Sequence, residues 1–325
     1  MKPKVFLTKE LPVKVMERLK EQTNLSMNAG DRVLSRDELL RAVKGKDALL
    51  CILNDTIDSG IMDANPNLKI IANYAVGYNN IDIAAATERK IPVSNTPGVL
   101  TDTTADMGFA LIMAVGRRIA EADKFIRTGK WPGWGPTQFL GQDISGSTLG
   151  IIGLGRIGKA LARRASGFDM DLLYWNRTRL QEKEERELGV RFAPFEEVLA
   201  ASDFVSLHVA YNEGTHHLIG KKEFEIMQST AYIINTARGP VIDEKALVAA
   251  LQSHEIAGAG LDVFEQEPQI EAELFDMNNV VLLPHLASAT IATRTRMGMI
   301  AIDNILAALN GQTIPHLVNK DIYNR

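Results

Sequence analysis

Residues 148–158, Thr-Leu-Gly-Ile-Ile-Gly-Leu-Gly-Arg-Ile-Gly, decide the fold. An apolar run typical of a buried strand ends at Ile152, and three glycines, Gly153, Gly155 and Gly158, follow at a G-x-G-x-x-G spacing. The next residues, Lys159 to Gly167, have the apolar spacing of a helix. Glycines so placed allow a tight turn, a close approach of the backbone to a pyrophosphate, and packing of the helix on the strand. The N–H groups that start the helix then bind the phosphates.

The motif alone also occurs in glycine-rich turns that bind nothing, so its surroundings matter. A strand before it, a helix after it and a second strand at Asp171 to Trp175 favour a dinucleotide site. Asn176-Arg177-Thr178-Arg179 follows that second strand, where an NAD site places Asp or Glu to bind the ribose hydroxyls. An arginine and two neutral donors suit a 2′-phosphate instead. The sequence predicts that NADP(H) is preferred and NAD(H) possible; the alternative is that Arg177 and Arg179 are ordinary surface cations.

Length and charge limit the remaining possibilities. The 325 residues exceed the roughly 250–300 at which a single core stops growing, so two domains are expected. A hydrophobic share of 46% excludes a largely disordered chain. The formal net charge of -4 argues against a nucleic-acid binder, although it permits a local cationic pocket at Arg156, Arg177 and Arg179.

Cysteine content and hydropathy indicate a soluble, cytoplasmic protein without a metal site. Cys51 is the single cysteine, so the chain can form no internal disulfide and no cysteine-based metal centre. The first ten residues hold only three consecutive apolar side chains, too few for a signal peptide. The longest mostly apolar stretch, Met107 to Val115, is far shorter than the ~20 residues of a membrane span.

Strand and helix patterns alternate along the chain in two series, which predicts two doubly wound parallel-sheet α/β domains. The predicted strands are Lys4 to Thr8, Ala48 to Leu53, Lys69 to Asn73 and Pro92 to Ser94, then Thr148 to Ile152, Asp171 to Trp175, Phe204 to His208, Ala231 to Asn235, Ala257 to Leu261 and Val280 to Leu283. The first helices are predicted at Val13 to Gln22, from a Ser35/Glu38 capping box to Val43, at Ser59 to Ala64 and at Ile81 to Glu88.

Two long helices and one irregular loop complete the pattern. The spacing predicts one amphipathic helix over Thr103 to Thr128 and a final helix over Ala289 to Leu309, closed by Asn310-Gly311. The stretch Trp131 to Pro136 holds two prolines and two glycines, which excludes regular structure.

Three kinds of charged residue follow successive predicted strands of the second series. His285 comes after Val280 to Leu283, Arg238 after Ala231 to Asn235, and Glu265 and Glu267 after Ala257 to Leu261. Each alone is more often structural or solvated, and His208 is best interpreted as a core histidine bonded to backbone. Together, at the ligand-binding edge of a dinucleotide fold, they suit hydride transfer to a 2-oxo acid. Arginine would hold the carboxylate, histidine would deliver the proton, and a glutamate would keep the histidine protonated. The pattern does not choose between the two glutamates.

The sequence resembles the D-2-hydroxyacid dehydrogenases, and within them the glyoxylate/hydroxypyruvate reductase branch. The matching stretches occur in the family's order and span nearly the whole chain. They are Tyr74 to Asp82 (YAVGYNNID), Asn95 to Asp102 (NTPGVLTD), Gly153 to Gly158, Asn235 to Gly239 (NTARG), Gly260 to Phe264 (GLDVF) with Glu267-Pro268, and Leu283-Pro284-His285.

The resemblance implies a role for each matching site residue. It implies that Arg238, Glu267 and His285 are catalytic, which favours the glutamate before Pro268. It implies that N–H groups at Val76 and Gly77 bind the substrate carboxylate, together with Arg238 and His285. The cofactor would be lined by Thr104, Leu154, Gly155, Arg156, Ile157, Asn176, Arg177, Thr178, Thr236, Ala237 and Asp262, with Asp262 near the carboxamide and Thr104 near the nicotinamide.

The resemblance also implies a domain arrangement and an assembly. A Rossmann cofactor domain, residues 100–286, is inserted in a flavodoxin-like substrate domain, residues 1–99 and 287–325, with hinges near Leu100 and Ser288. A homodimer is expected. Some glyoxylate reductases carry a tryptophan in the loop after Trp134-x-Pro that reaches the partner's site, whereas this chain has Thr137-Gln138-Phe139. The loop therefore does not predict how the substrate is selected.

The expected activity is NADPH-dependent reduction of glyoxylate or hydroxypyruvate to glycolate or D-glycerate. A 2-ketogluconate reductase or another D-2-hydroxyacid dehydrogenase fits the same residues. A formate dehydrogenase is disfavoured because that enzyme has glutamine in place of Glu267, and a phosphoglycerate dehydrogenase usually has a regulatory extension. A dinucleotide-sensing corepressor on this fold is the non-enzymatic alternative; it carries long tails, whereas Ile322 to Arg325 predicts a compact end.

Overall fold

The computed structural model describes residues 2–30 and 32–323. Asn324 and Arg325, part of the predicted compact end, lie outside the described residues. The chain divides into two compact units. The first unit comprises Met1–Leu100 and Ala289–Arg325, and the inserted unit comprises Thr101–Ser288.

Twelve strands are found in the described residues. Their bounds are β1 Lys4–Leu7, β2 Asn24–Met27, β3 Ala48–Cys51, β4 Ile70–Asn73, β5 Val93–Ser94, β6 Thr148–Ile152, β7 Asp171–Trp175, β8 Val190–Phe192, β9 Phe204–Leu207, β10 Tyr232–Asn235, β11 Gly258–Leu261 and β12 Val280–Leu282.

Twelve α-helices are found over the same part of the chain. Their bounds are α1 Val13–Gln22, α2 Arg36–Ala42, α3 Ser59–Asp63, α4 Ile83–Glu88, α5 Thr101–Gly116, α6 Ile119–Ile126, α7 Arg156–Ala165, α8 Glu182–Leu188, α9 Phe195–Ala201, α10 Lys221–Ile226, α11 Glu244–Gln252 and α12 Ile291–Leu309. Within those bounds, no helix is both long enough and apolar enough to cross a bilayer.

Both sheets are parallel, which confirms the predicted fold class. The first unit has the strand order β2-β1-β3-β4-β5, which is the flavodoxin-like order. The inserted unit has the order β12-β11-β10-β9-β6-β7-β8, which contains the Rossmann order and adds one strand at its edge. Strand order reverses between β1 and β3 in one sheet and between β6 and β9 in the other. Ligands bind at such switch points, outside the carboxyl ends of the strands.

Helices cover both faces of each sheet, so the central strands are apolar on both sides. In the first unit, Val5 and Leu7 face α1 and α12, whereas Phe6 between them faces α2, α3 and α4. In the inserted unit, α5 and α7 pack on one face, and α9, α10 and α11 pack on the other. The period of two along a strand therefore divides each core into two layers.

Local signals fix several helix ends as predicted. Ser35 and Glu38 form both hydrogen bonds of a capping box at the start of α2. Thr290 caps α12, which starts two residues later than predicted, and Gly311 adopts a positive φ just after its end. Residues 131–136 contain no regular structure, as the sequence predicted.

The single helix predicted over Thr103 to Thr128 is wrong. The chain breaks between α5 and α6, where Arg118 adopts a left-handed conformation with φ 53°. Gly116, which ends α5, packs so closely that a Cβ there would lie 2.9 Å from the side chains of Phe204 and Ile144. The apolar spacing continues through α6, although α6 has no buried residue. Periodicity alone therefore did not reveal the break.

Strands β2 and β8 were not predicted. Each lies at an edge of its sheet, and each is short. An edge strand is buried on fewer sides than a central strand, so it does not need a continuous apolar run. The half-buried sequence Asn-Leu-Ser-Met of β2 contains no such run.

Candidate active site

The glycine-rich turn lies at the switch point of the inserted unit. Gly153 has φ 100°, and a Cβ there would lie 2.7 Å from the backbone carbon of His208, which follows the neighbouring strand β9. A Cβ on Gly158 would lie 2.4 Å from the carbonyl oxygen of Gly153. A Cβ on Gly155 would meet no atom within 4 Å. The first and third glycines are therefore required by packing, whereas the second leaves open space beside the backbone.

Two further observations show that these residues fit a dinucleotide. Among the described residues, no group accepts a hydrogen bond from the N–H of Gly155, Arg156 or Ile157, at the start of α7. Helix starts of this kind bind phosphate. After β10, the buried hydroxyl of Thr236 has no hydrogen-bond partner in the described chain. A buried polar atom of that kind calls for a ligand or water.

Asn176 to Arg179 follow β7, where the sequence predicted the ribose end of the cofactor. The carboxamide oxygen of Asn176 accepts a hydrogen bond of 2.6 Å from the N–H of Leu154, which ties this loop to the glycine-rich turn. Arg177 and Thr178 are exposed, and within residues 2–30 and 32–323 Arg177 forms no ion pair or hydrogen bond. Arg179 differs, because it forms two hydrogen bonds of 2.8 Å with Glu185. Arg177 is therefore available to an anion, whereas the charge of Arg179 is already paired with a carboxylate.

Glu185 organises a small polar network under this loop. It accepts a 2.6 Å hydrogen bond from the hydroxyl of Tyr174, and that hydroxyl accepts one from the N–H of Leu180. The bonds from Arg179 and Tyr174 lower the pKa of Glu185 to about 2. The carboxylate stays charged at neutral pH and fixes Arg179 beside the ring of Phe192.

Arg238 extends from the end of β10. The side chain of Asn235 accepts a hydrogen bond from the N–H of Ala237 and donates one to the carbonyl of Arg238, which holds the turn. A Cβ on Gly239 would lie 1.8 Å from backbone atoms of Phe264, so only glycine permits this contact with the segment after β11. Burial lowers the pKa of Arg238, and the charge of Glu267 opposes that shift. The site therefore contains a half-buried guanidinium beside a carboxylate.

Glu267 and His285 form a hydrogen-bonded pair. Nδ1 of His285 lies 3.0 Å from Oε2 of Glu267, and the other glutamate oxygen accepts a 3.2 Å bond from the N–H of Phe264. Burial acts to raise the pKa of Glu267, but the hydrogen bond and charge of His285, the bond from the N–H of Phe264 and the charge of Arg238 together hold that pKa below its usual value. Both side chains keep about a third of their surface exposed, at 27% and 30%. A ligand can therefore contact both side chains.

Asp262 holds the backbone that carries His285. Its carboxylate accepts hydrogen bonds of 2.6 Å from the N–H of Leu286 and 2.8 Å from that of Ala287. Its carbonyl accepts a third from the N–H of His285, which has a left-handed φ of 56°. Burial raises the pKa of Asp262, and the two backbone bonds oppose that rise. The resemblance implied that Asp262 lies near the carboxamide of the cofactor; in the structure its carboxylate is fully buried and accepts hydrogen bonds from the backbone after His285.

The second glutamate, Glu265, does not face His285. Its Oε1 lies 2.8 Å from Nε2 of His217, and its Oε2 accepts a bond from the N–H of Glu244. The buried carboxylate of Glu244 in turn accepts bonds of 2.8 Å from the N–H groups of Glu265 and Glu271, on either side of Glu267. Glu244 therefore ties both ends of the segment that carries Glu267 to the start of α11.

His208, at the end of β9, is neutral. Burial lowers its pKa to about 4, and its Nε2 lies 2.9 Å from the hydroxyl of Ser206. The predicted structural role fits this setting, but the ring bonds a side chain rather than the backbone. The uncharged ring lies near the Cα of Gly108 on α5.

The remaining predicted residues lie in both units. Thr104 is buried on α5, and Ala237 lies in the turn after β10. Val76 and Gly77 lie after β4 in the first unit.

Three residues that organise the site were missed at the level of sequence. Asn235, Glu244 and Glu185 act through backbone and side-chain bonds to residues distant in sequence or in adjacent turns. In the sequence, each of the three is only a polar residue near a strand end or in a helix. Many solvated residues have such positions, so position did not identify these three.

The arrangement can bind a dinucleotide at one crevice and place an acid, a carboxylate and a guanidinium at the same sheet edge. The fold and this cluster define a dehydrogenase that uses a nicotinamide dinucleotide. Residues 109–287 match the family model described as the NAD binding domain of the D-isomer specific 2-hydroxyacid dehydrogenases. The chain belongs to that family.

Full-length relatives agree with this assignment. The glyoxylate reductase of Thermococcus litoralis is 49% identical, and the match covers 99% of this chain and 98% of that protein. A solved glyoxylate reductase described as from Paecilomyes thermophila is 34% identical with a TM-score of 0.86, covering 98% and 99% of the two chains. A solved NADPH-dependent glyoxylate/hydroxypyruvate reductase from Sinorhizobium meliloti, in complex with NADP and malonate, is 32% identical with a TM-score of 0.87, covering 100% and 99%.

The geometry of the glycines predicts opposite effects for two alanine substitutions. Gly155→Ala should leave the free energy of unfolding unchanged but weaken binding of the nicotinamide dinucleotide by at least about tenfold, because its methyl group would fill the open space beside the backbone that the sequence assigns to the pyrophosphate. Gly158→Ala should destabilise the fold by about 1–3 kcal/mol, because its methyl group meets the Gly153 carbonyl. Nucleotide fluorescence titration and urea unfolding measure the two effects. Equal loss of stability in both variants would contradict the assignment of the open space.

Proposed function

We propose that the protein reduces glyoxylate and hydroxypyruvate to glycolate and D-glycerate with NADPH. The observation that carries the proposal is the Glu267–His285 pair beside Arg238, at the carboxyl edge of a dinucleotide-binding sheet. The names of the relatives from Thermococcus litoralis and Sinorhizobium meliloti support the choice of acids.

His285, Glu267 and Arg238 have different parts in the proposed reaction. The nicotinamide dinucleotide, when bound, supplies hydride to C2 of the 2-oxo acid. His285 gives its proton to the carbonyl oxygen, so that the product is an alcohol. Glu267 holds the imidazole of His285 in place through the 3.0 Å hydrogen bond between Oε2 and Nδ1. Arg238 binds the substrate carboxylate and polarises the carbonyl, since a guanidinium keeps its charge at neutral pH.

We assign the substrate to Val76, Gly77, Arg238 and His285. Backbone N–H groups of Val76 and Gly77 would bind the carboxylate, which is an acceptor at neutral pH. The reductase from Sinorhizobium meliloti was solved in complex with malonate, itself a small carboxylate, which is consistent with a site for such anions in the family.

The cofactor assignment rests on Arg177. Its guanidinium is exposed and unpaired among the described residues, and no carboxylate occupies the end of β7. A 2′-phosphate there would gain a charge-assisted hydrogen bond, which supports a preference for NADP(H). The other proposed contacts are Thr104, Leu154, Gly155, Arg156, Ile157, Asn176, Thr178, Thr236, Ala237 and Asp262.

The two units of the chain receive separate roles, and the state of Cys51 bears on the compartment. We assign residues 100–286 to the cofactor and residues 1–99 with 287–325 to the substrate. The thiol of Cys51 is buried, and burial raises its pKa well above the usual value. An uncharged, reduced thiol suits a reducing compartment, so we propose the cytoplasm.

A homodimer is supported by an exposed apolar surface on the inserted unit, which we call the α6 surface. Its residues are Ile119, Ile126, Trp131, Trp134 and Leu140, which are 50%, 47%, 51%, 84% and 65% exposed. Phe139 packs on Phe125 with ring centroids 5.2 Å apart, and Arg118 donates to the carbonyl of Leu140, so the loop is held on α6. Large apolar side chains left exposed on one helix and on the loop held against it are typical of a protein interface.

Turnover with a panel of 2-oxo acids tests the function. Wild type should oxidise NADPH fastest with glyoxylate and hydroxypyruvate, and His285→Ala should lower kcat by about 10²- to 10⁴-fold, because the proton donor is lost. Arg238→Ala should chiefly raise KM for the acid. The exposed His254 at the end of α11 supplies the control, because His254→Ala should leave kcat unchanged.

Three outcomes of that panel would overturn parts of the proposal. Preference for 2-ketogluconate would reassign the substrate. No turnover with any acid would favour the dinucleotide sensor. If the His285→Ala variant kept the kcat of the wild type, the assignment of His285 as the proton donor would be wrong.

Charge reversal at Arg177 tests the cofactor. Arg177→Asp should lower the ratio of kcat/KM for NADPH to that for NADH by at least about tenfold, since one charge-assisted hydrogen bond is lost and a repulsion gained. Arg186→Asp on α8 makes the same change of charge at a residue that pairs with Glu182, and it should leave the ratio unchanged. A wild-type preference for NADH would refute the assignment.

Sedimentation velocity tests the assembly. The wild type should sediment as a dimer, and Trp134→Ser should shift it toward monomer at micromolar concentration, because the most exposed aromatic of the α6 surface is lost. Val13→Ser removes a side chain of similar exposure, 73%, outside that surface and should leave the dimer intact. A monomeric wild type would contradict the proposal.

A further inference from the structure

The loop between β4 and α4 presents three consecutive N–H groups without an acceptor. These belong to Val76, Gly77 and Tyr78, and no group in the described part of the chain accepts a hydrogen bond from them. Val76 and Gly77 are half-buried and Tyr78 is exposed. The described protein supplies no acceptor to these three successive N–H groups, so they are open to an anion or to water.

The carbonyl of each of the same three peptide groups is held by a specific donor. The N–H of Thr96 donates to the carbonyl of Ala75 at 2.8 Å. The side-chain amide of Asn95 donates to the carbonyl of Val76 at 2.7 Å, and that of Asn73 donates to the carbonyl of Gly77 at 2.8 Å. Three successive peptide planes are therefore fixed.

Because each peptide group is planar, a bond that fixes its carbonyl also fixes the direction of its N–H group. In a trans peptide the carbonyl of one residue and the N–H of the next point in opposite directions. Asn95 therefore turns the N–H of Gly77 away from itself, and Asn73 does the same for the N–H of Tyr78. Asn95 and Thr96 are adjacent and act on adjacent peptides, so the N–H groups of Val76 and Gly77 both point away from the segment after β5.

Both asparagines are themselves held in place. Asn73 is fully buried, and its amide also donates to the side chain of Asn80 at 3.1 Å. Asn80 donates in turn to the carbonyls of Ile52 and Asp55. The backbone of Asn95 is bonded to His316 and to the side chain of Asn304, each at 3.2 Å. The donors are therefore rigid, which reduces the entropy lost when an anion binds.

We propose that Asn73 and Asn95 are positioning residues that orient the backbone N–H groups of Val76, Gly77 and Tyr78 toward the carboxylate of the 2-oxo acid. The inference rests on the proposed function, which supplies the carboxylate. Neutral amides suit this task, because they donate to carbonyls without placing a charge beside the anion. An aspartate at either position would lose the donor and repel the substrate.

The test compares Asn95→Ala and Asn73→Ala with a matched control. Asn65 is also a buried asparagine of the first unit, and its amide donates to the carbonyls of Val43 and Lys46 at 2.8 Å, outside this loop. The readouts are KM for glyoxylate, KM for NADPH, and the inhibition constant of oxamate, a carboxylate analogue of the substrate. We expect both constants for the anions to rise at least about tenfold in the two test variants, with KM for NADPH unchanged.

Asn65→Ala separates positioning from general loss of stability. It should lower the urea midpoint as much as Asn73→Ala does, yet leave KM for glyoxylate and the oxamate constant at their wild-type values. If Asn73→Ala does not fold, Asn95→Asp, at a half-buried position, replaces it in the test. It should raise KM for glyoxylate and the oxamate inhibition constant further than Asn95→Ala does, because the new carboxylate repels the anion.

Two results would overturn the inference in distinguishable ways. Wild-type turnover with unchanged glyoxylate KM and oxamate inhibition in Asn95→Ala and Asn95→Asp would refute the positioning role alone. A wild type that reduces no 2-oxo acid would refute the proposed function and this inference with it.

Discussion

The parallel pairing of β6 with β9 is the constraint on which the site of the inserted unit depends. Ile152 and Leu207 end these strands in register, and the chain leaves them toward opposite sides of the sheet. A crevice must open where the crossovers diverge, and the glycine-rich turn lies there. Because every strand in this sheet is parallel, the turns after β10, β11 and β12 reach the same edge. Arg238, Glu267 and His285, far apart in sequence, thereby become neighbours.

Close backbone contacts bring those turns within hydrogen-bond distance. Gly239 meets the backbone of Phe264, and Gly153 meets that of His208, at separations that leave no room for a side chain. Buried carboxylates then fix the loops once they are close. Asp262 bonds the backbone after His285, and Glu244 bonds the backbone on both sides of Glu267. A carboxylate can accept several N–H bonds at once, which makes it an effective anchor for an irregular segment.

The loops that carry the candidate site residues are held by different side chains in the two units. In the inserted unit, the carboxylates of Glu244 and Asp262 hold the segments around Glu267 and His285, and the amide of Asn235 holds the turn that carries Arg238. In the first unit the loop after β4 is held by the neutral amides of Asn73, Asn80 and Asn95. Where an anion is to be bound by backbone N–H groups, a nearby carboxylate would raise the free energy of the bound state. The choice of anchor is thus consistent with the charge of the proposed ligand.

The sequence by itself determined the fold class, the glycine-rich turn, most strand positions and the residue types at the strand ends, because these depend on local periodicity and spacing. It left the choice between Glu265 and Glu267 to a resemblance, and the structure shows Glu267 bonded to His285 and Glu265 to His217. Tertiary structure alone decided that Arg179 pairs with Glu185, that the helix breaks at Arg118, and that β2 and β8 complete the sheets. Each of these depends on a contact between a loop and the next helix, on packing against residues distant in sequence, or on a position at a sheet edge, and none of them leaves a periodic signal in the chain.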